Sequence, residues 1–300
     1  MFDIIIVGAG PAGLSSALYA LRANKKVLVL EGKNYGGQII NAKKIDNYPG
    51  MAHISGFEFA NSLYNQVKEL GAEIRYEKVI SISSDRKVVT NKGSYEGKSI
   101  IIATGAVNRK LNIENEDKLI GKGISYCATC DGNFYKDKVV AVNGGMNEAV
   151  KDAIYLADIV KEVYLIYSSD NLIADDILIE ELKSKDNIIY LNRSVIEEVN
   201  GIDKLESIKV IDKEQNEKII NIDGLFIAVG RVPQNEIFRS VIKLDDNGYI
   251  ESIDGVHTSV PYIYVAGDAR VKELRQLVTA TSDGALAATV AIREIKDIEM

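Results

Sequence analysis

Two sulfurs pose the first chemical question. The chain has two cysteines, Cys127 and Cys130, three positions apart in Cys-Ala-Thr-Cys-Asp. A disulfide framework for a secreted fold needs more, and a four-cysteine zinc site is arithmetically impossible. A mixed site would have to recruit both histidines, His53 and His257, which lie far from the pair and from each other. No metal is therefore expected. A close C-x-x-C pair reads instead as a redox-active dithiol.

The second chemistry is phosphate binding. Phe2 to Val7 reads as a buried strand that runs into Gly8-Ala9-Gly10-Pro11-Ala12-Gly13. A helical pattern follows through Leu14, Leu18 and Leu21, and a second strand from Lys26 to Leu30 ends at Glu31. In this order the first glycine makes a tight turn, the second admits a pyrophosphate, and the third lets helix pack on strand. An acid about twenty residues on accepts ribose hydroxyls.

The pattern returns in altered form. A strand, Val139 to Val142, leads into Asn143-Gly144-Gly145-Met146-Asn147-Glu148-Ala149, a helix from about Val150 to Val160, and a strand, Val163 to Ile166, ending at Tyr167. Gly8 to Gly144 and Glu31 to Tyr167 are both 136 positions apart, which argues for two copies of one fold. Each copy closes on an apolar strand that ends in glycine, at Gly105 and Gly230. The segment Tyr262 to Ala266, leading into Gly267-Asp268, has no counterpart in the second copy. It is placed back on the first domain, which makes the second an insertion.

Length and composition agree with that plan. Three hundred residues suit two domains, and 46% apolar with 26% charged residues excludes general disorder. A net charge of −7 without a basic block argues against nucleic-acid binding. No apolar stretch is long enough for a membrane span, and no signal peptide is evident, so a soluble, cytoplasmic protein is expected. Lys25-Lys26, Lys43-Lys44 and Arg109-Lys110 read first as solvated surface, with docking of an acidic electron carrier as the alternative.

Gly8–Gly13, Gly36-Gly37-Gln38, Asn47-Tyr48-Pro49-Gly50, Ala103-Thr104-Gly105, Cys127–Asp131, Gly267-Asp268 and Arg275-Gln276 together resemble the low-molecular-weight thioredoxin reductase family, from about residue 2 to 290. The resemblance implies an α/β fold of two Rossmann-like dinucleotide-binding domains. The FAD-binding domain is discontinuous, 1–114 and 245–300, and the dithiol is carried on the inserted 115–244. It also implies a homodimer. By resemblance Gly8, Gly10, Pro11, Ala12 and Gly13 cradle the FAD pyrophosphate, and Glu31 and Gly32 meet the adenosine. Gly36, Gly37, Gln38 and Asn47 line the flavin side, with Val79, Ala103, Thr104 and Gly105 along the cofactor. Gly267 and Asp268 meet the ribityl chain and phosphates, and Arg275, Gln276 and Leu277 the ring system. Cys130 is the flavin-proximal sulfur and Cys127 the interchange thiol. Asp131 is the candidate acid/base for the leaving thiolate, or alternatively a capping residue.

The second copy departs from the family. Met146 replaces the glycine that lets backbone approach pyrophosphate, and Glu148 puts a carboxylate where a phosphate needs positive potential. The family's histidine and three arginines correspond to Tyr167, Ser168, Ser169 and Ile173. The charge-assisted donors that hold a 2′-phosphate are worth about 1.5–3 kcal/mol each. NADPH is therefore not the expected donor, and the losses resemble those of an NADPH-independent branch that takes electrons from reduced ferredoxin. The energetics permit it, since two electrons falling from about −400 mV to about −270 mV release about 6 kcal/mol. The expected function is FAD-dependent reduction of the thioredoxin disulfide, fed by ferredoxin. The alternatives are an NAD(P)H-dependent reductase with an atypical site and a flavin/disulfide sensor without turnover. Rotation of the inserted domain is expected about hinges near 112–118 and 243–248.

Overall fold

The computed structural model describes residues 1–42 and 44–299, so Lys43 of the Lys43–Lys44 pair lies outside the described residues. The chain divides into two compact units, Met1–Val107 with Val232–Met300, and Asn108–Arg231.

The first unit opens with β1 (Phe2–Val7), α1 (Pro11–Arg22) and β2 (Val27–Glu31). Next come α2 (Gly56–Glu69), β3 (Glu73–Tyr76), β4 (Val79–Ile82), β5 (Lys87–Thr90) and β6 (Ser94–Ile102). Successive side chains of a strand point to opposite faces. Ile4, Ile6, Val27 and Val29 accordingly enter one core and Ile5, Val7, Leu28 and Leu30 another. Both faces are covered, which is why the strands read as unbroken apolar runs. Each such fully buried side chain contributes about 1.5–3 kcal/mol. β1 pairs in parallel with β2 and β6, and β2 with β3. The start of β6 turns to pair antiparallel with β5. Pro11 begins α1, where its missing N–H costs nothing. A Ser55/Glu58 capping box begins α2.

β7 (Ala106–Asn108) leads into the second unit, with α3 (Glu116–Leu119), β8 (Ile124–Ser125) and α4 (Ala128–Asp131). Then follow β9 (Val139–Asn143), α5 (Asn147–Ala157), β10 (Glu162–Ile166), α6 (Asp176–Lys183) and β11 (Ile188–Leu191). β12 (Ser194–Asn200), β13 (Ser207–Asp212) and β14 (Glu217–Asn221) form an antiparallel meander. β15 (Gly224–Ile227) completes a parallel sheet ordered β11-β10-β9-β15-β8. The helix expected at 150–160 starts three residues earlier. Met146 takes the extended N-cap conformation there, and the helix ends at Ala157 with Asp158 as its C-cap.

The chain leaves through β16 (Arg231–Pro233), which forms a two-stranded sheet with β7. β17 (Ile263–Val265) pairs in parallel with β6, and α7 (Leu277–Glu299) packs on α1. Small residues bring those helices close. A Cβ on Gly284 would sit 2.1 Å from the Ala12 carbonyl oxygen, and Ser15 and Ser16 donate to the Thr281 and Gly284 carbonyls.

The chain crosses between units at 107/108 and 231/232, earlier than the boundaries after 114 and 244 that the sequence suggested. The polar run Asp245–Gly248 is a turn inside the first unit. The Asp245 carboxylate accepts from the Asn247 and Tyr249 amides, and Leu244 packs on the core around Phe238. Asn112 and Asn115 do take left-handed backbone (φ 60° and 65°), but lie within the second unit.

Candidate functional site

In the first unit two loops converge at the carboxyl ends of β1 and β2. Gly8 (φ 110°) has no room for a side chain, because a Cβ would lie 2.4 Å from the Ala103 carbonyl oxygen. A Cβ on Gly13 would lie 1.9 Å from the Gly8 carbonyl oxygen, so helix and strand meet backbone to backbone. Gly10 is different: its Cβ would meet nothing nearer than Gly37 Cα at 3.8 Å. No protein atom there excludes a side chain. The Gly36 amide donates to the Ala9 carbonyl (2.8 Å), folding the Gly36–Gly37–Gln38 loop back onto the first. Glu31 ends β2 and accepts from the Ala9 and Lys33 amides, one on each oxygen at 2.8 Å. Each oxygen keeps a second acceptor position for a ligand hydroxyl.

The other expected residues of this unit fall as follows. Gly32 lies beside Lys78, and Val79 is a buried core residue at the start of β4. Ala103 donates to Val7, and Gly105 takes positive φ after the strand. Asn47 donates to the Gln276 side chain at 3.1 Å. Gly267 donates to Asp283, which also holds Arg270 and Lys272, and that cationic pair keeps the buried Asp283 carboxyl below its ordinary range against the cost of burial. Asp268 sits in the short turn Gly267–Ala269, and Leu277 opens α7. The Arg275 guanidinium stacks over Tyr249 at 4.1 Å, while its buried Nε has no hydrogen-bond partner among the described residues.

Asn235 was not singled out from sequence. It is fully buried, accepts from Thr104 Oγ1 (2.9 Å) and donates to the Gly248 and Ala269 carbonyls. It fixes the loop after β6 against the segment that follows β17. A lone Asn after a strand carries no motif, so only the fold reveals it.

In the second unit the corresponding loop keeps the turn but not the opening. Gly144 (φ 146°) approaches Ala228 as Gly8 approaches Ala103. Beyond it, Met146 forms a β-bridge to Ile173, and the Ile173 amide donates to the Gly145 carbonyl (2.8 Å). Both side chains are about two-thirds exposed, Met146 64% and Ile173 65%. Asn147 exchanges two hydrogen bonds with Asp175, and Tyr167 is buried in the core under α5. Two nearby cations are engaged: Arg193 pairs with Asp170, and Arg231 reaches Glu148 at 3.6 Å. Asp152, one helical turn beyond Glu148, is pushed up to about 7, chiefly by burial and then by Glu148, with Arg231 pulling it partly back.

The dithiol lies at the end of β8. Cys127 and Cys130 are joined as a disulfide across a 5.3 Å Cα separation, with α4 as the turn between them. The Cys127 carbonyl accepts from the Cys130 and Asp131 amides. The Asp131 carboxylate makes no capping bond to the turn that follows, and accepts instead from Ser125 Oγ at 2.6 Å. Burial, with Asp131 and Asp223 near it, pushes the Tyr135 phenol up to about 12. His53 pairs with Asp46, and His257 with Asp254 and Glu294.

Two dinucleotide-type folds and a C-x-x-C disulfide define a class, the nucleotide-linked disulfide oxidoreductases. The family profile described as pyridine nucleotide-disulphide oxidoreductase matches residues 2–284, and the chain belongs to that family. Within it the chain stands among the thioredoxin reductases. It is similar to the thioredoxin reductase of Treponema pallidum, 41% identical over 303 residues that cover 99% of this chain and 98% of the relative. The enzyme of Peptoclostridium acidaminophilum is 38% identical over 307 residues, covering 99% and 98%. The crystal structure of thioredoxin reductase from Streptococcus pyogenes superposes with a TM-score of 0.93 at 37% identity, covering 99% of each chain.

Proposed function

We propose that the chain is an FAD-dependent reductase of thioredoxin-type disulfides. Its electrons come from a reduced one-electron carrier of the ferredoxin type and not from NADPH, and it works as a homodimer. The first unit fits the flavin dinucleotide. Gly10 leaves an opening that a Cβ would fill, Glu31 retains acceptor positions, and Arg275 carries a buried Nε without a hydrogen-bond partner among the described residues. Gly8, Gly13, Gly36, Gly37, Glu31, Asp268 and Arg275 would hold it. When bound, FAD supplies the means to collect single electrons and deliver them as a pair.

The remaining steps belong to the chain's own residues. In the reduced dithiol, the Cys127 thiolate attacks one sulfur of the partner's disulfide. A Cys127–partner S–S bond forms and a partner thiolate leaves, taking up a proton. Cys130 then attacks Cys127 Sγ, which closes the Cys127–Cys130 bond and expels the second partner thiolate. Two electrons have passed to the partner. Asp131 takes the Cys130 proton as that sulfur becomes a nucleophile.

One observation carries the choice of donor. The first loop keeps Gly10 free of close backbone contact, whereas the second has Met146 at that position, bridged to Ile173, with Glu148 in the first turn of α5 and Asp175 bonded to Asn147. A pyridine dinucleotide brings a pyrophosphate, and a helix start carrying a carboxylate opposes it. Anaerobic mixing decides. Reduced ferredoxin should bleach the flavin and release thiols from oxidised thioredoxin over many turnovers, while micromolar NADPH or NADH should leave the spectrum unchanged. Rapid bleaching by either nucleotide would overturn the donor assignment, and bleaching without thiol release would leave a sensor.

A further inference from the structure

The exchange reaction needs Asp131 beside two sulfurs that separate and rejoin in every cycle, yet α4 between them is a single turn. What holds the carboxylate is a strand residue. Ser125 is the last residue of β8, in register with Phe226 of β15, and is 6% exposed. Its single hydroxyl proton goes to Asp131 Oδ2 at 2.6 Å, within the range of charge-assisted O–H···O⁻ bonds. Its oxygen lone pairs accept the Cys127 amide at 3.1 Å. The Asp131 amide in turn donates to the Cys127 carbonyl at 3.1 Å. Ser125, Cys127 and Asp131 thus close a ring of hydrogen bonds in which no sulfur takes part.

We propose that Ser125 is a positioning residue for the dithiol: it locks the Asp131 carboxylate to the Cys127 backbone, so that acid/base group and nucleophile keep one geometry whether the disulfide is open or closed. This rests on reading Cys127–Cys130 as the exchanging pair and Asp131 as its acid/base group. The hydroxyl has a second effect. A donor to the charged form favours that form, so Ser125 extends to lower pH the range in which Asp131 is ready to accept a proton. Alanine removes both effects. Threonine retains the hydroxyl.

The test uses the full chain, reduced with dithiothreitol and desalted, reacting in a single turnover with the aromatic disulfide DTNB and, separately, with an oxidised thioredoxin. Ser125→Ala should slow exchange about tenfold, a fraction of the 10²–10⁴ available to a positioned proton-transfer group. It should also move the acid limb of the rate–pH profile upward. Ser125→Thr should recover most of the rate and the original limb. On an Asp131→Asn background, Ser125→Ala should add less than about twofold, because the two residues act as one unit. Thermal unfolding of each variant confirms that it is folded. The proposal is overturned if Ser125→Ala reacts within twofold of the parent with an unmoved pH profile, or if its loss multiplies that of Asp131→Asn. A parent protein that exchanges with DTNB but not with thioredoxin would refute the substrate assignment, and the Ser125 comparison would still be decided on DTNB.

Discussion

Tyr126 Oη donates to Glu116 Oε1 at 2.7 Å, joining the residue before the dithiol to the start of α3. Glu116 is 2% exposed, and its carboxylate also accepts the Leu111 and Asn112 amides at 3.1 and 2.8 Å. One buried carboxylate therefore gathers the chain as it enters the second unit and steadies the residue beside Cys127. Burial and then Glu116 push the Tyr126 phenol well above its ordinary range, so it remains a donor. Glu116→Gln presents an amide N–H₂ to at least one of three donors and should cost about 1–3 kcal/mol, and Tyr126→Phe about 1–2 kcal/mol. Urea unfolding of the parent and both variants measures this. A Glu116→Gln protein as stable as the parent would mean that the three donors find other acceptors.

The glycine loop of the first unit makes a sharper prediction, because its glycines are there for different reasons. A Cβ at Gly13 collides with backbone and should destabilise the fold by about 1–3 kcal/mol. At Gly10 the nearest protein atom is 3.8 Å away, so Gly10→Ala should cost the apoprotein about 1 kcal/mol or less while intruding on the space left for pyrophosphate. Flavin content after purification should fall severalfold in Gly10→Ala with the melting temperature of the stripped protein nearly unchanged. If flavin content stays whole, the opening serves something other than a dinucleotide.

These two loops also show how much the sequence reveals. Runs such as Phe2–Val7, the glycine spacing and the C-x-x-C are local patterns, and each imposes a backbone geometry visible in sequence. The 136-residue offset betrayed the duplication because both copies need the same strand–turn–helix. Asn235, Ser125 and Glu116 were not legible. Each is an ordinary polar residue whose role comes from hydrogen-bond partners on other chain segments, from 2 to 131 residues away. The unit boundaries were misplaced for a related reason: Asp245–Gly248 has the composition of a hinge, but its carboxylate is used to close a turn within one unit.

The proposed donor assignment also predicts what would give the second loop an NADPH site. Met146→Gly reopens the approach to α5, and Ser168→Arg with Ser169→Arg restores cations after β10. Two charge-assisted contacts at about 1.5–3 kcal/mol each correspond to about 10²–10⁴ in affinity. The triple variant should bind NADPH measurably and prefer it over NADH, as read by calorimetry on the oxidised protein. Equal affinity for the two nucleotides would show that the new arginines do not reach the 2′-phosphate.

Asp152 gives the second unit one pH-dependent contribution to its stability. Its carboxyl is pushed up to about 7 in the fold, from about 3.9 in an unfolded chain. Between those values the folded protein binds the proton more tightly than the unfolded chain, so stability falls as pH rises. The stabilisation is complete below about pH 4, is lost through about pH 7, and is level above that. Arg231, already engaged with Glu148, offsets only part of the cost of an ionised Asp152. Asp152→Asn removes the titration. It should therefore gain on the parent by about 1–3 kcal/mol at pH 8 and by about a fifth of that at pH 4.5. Urea denaturation at the two pH values gives the difference directly, and because every other group is shared, the comparison isolates Asp152. Parallel stability–pH curves for the two proteins would place Arg231 as a full counterion and Asp152 as ionised throughout.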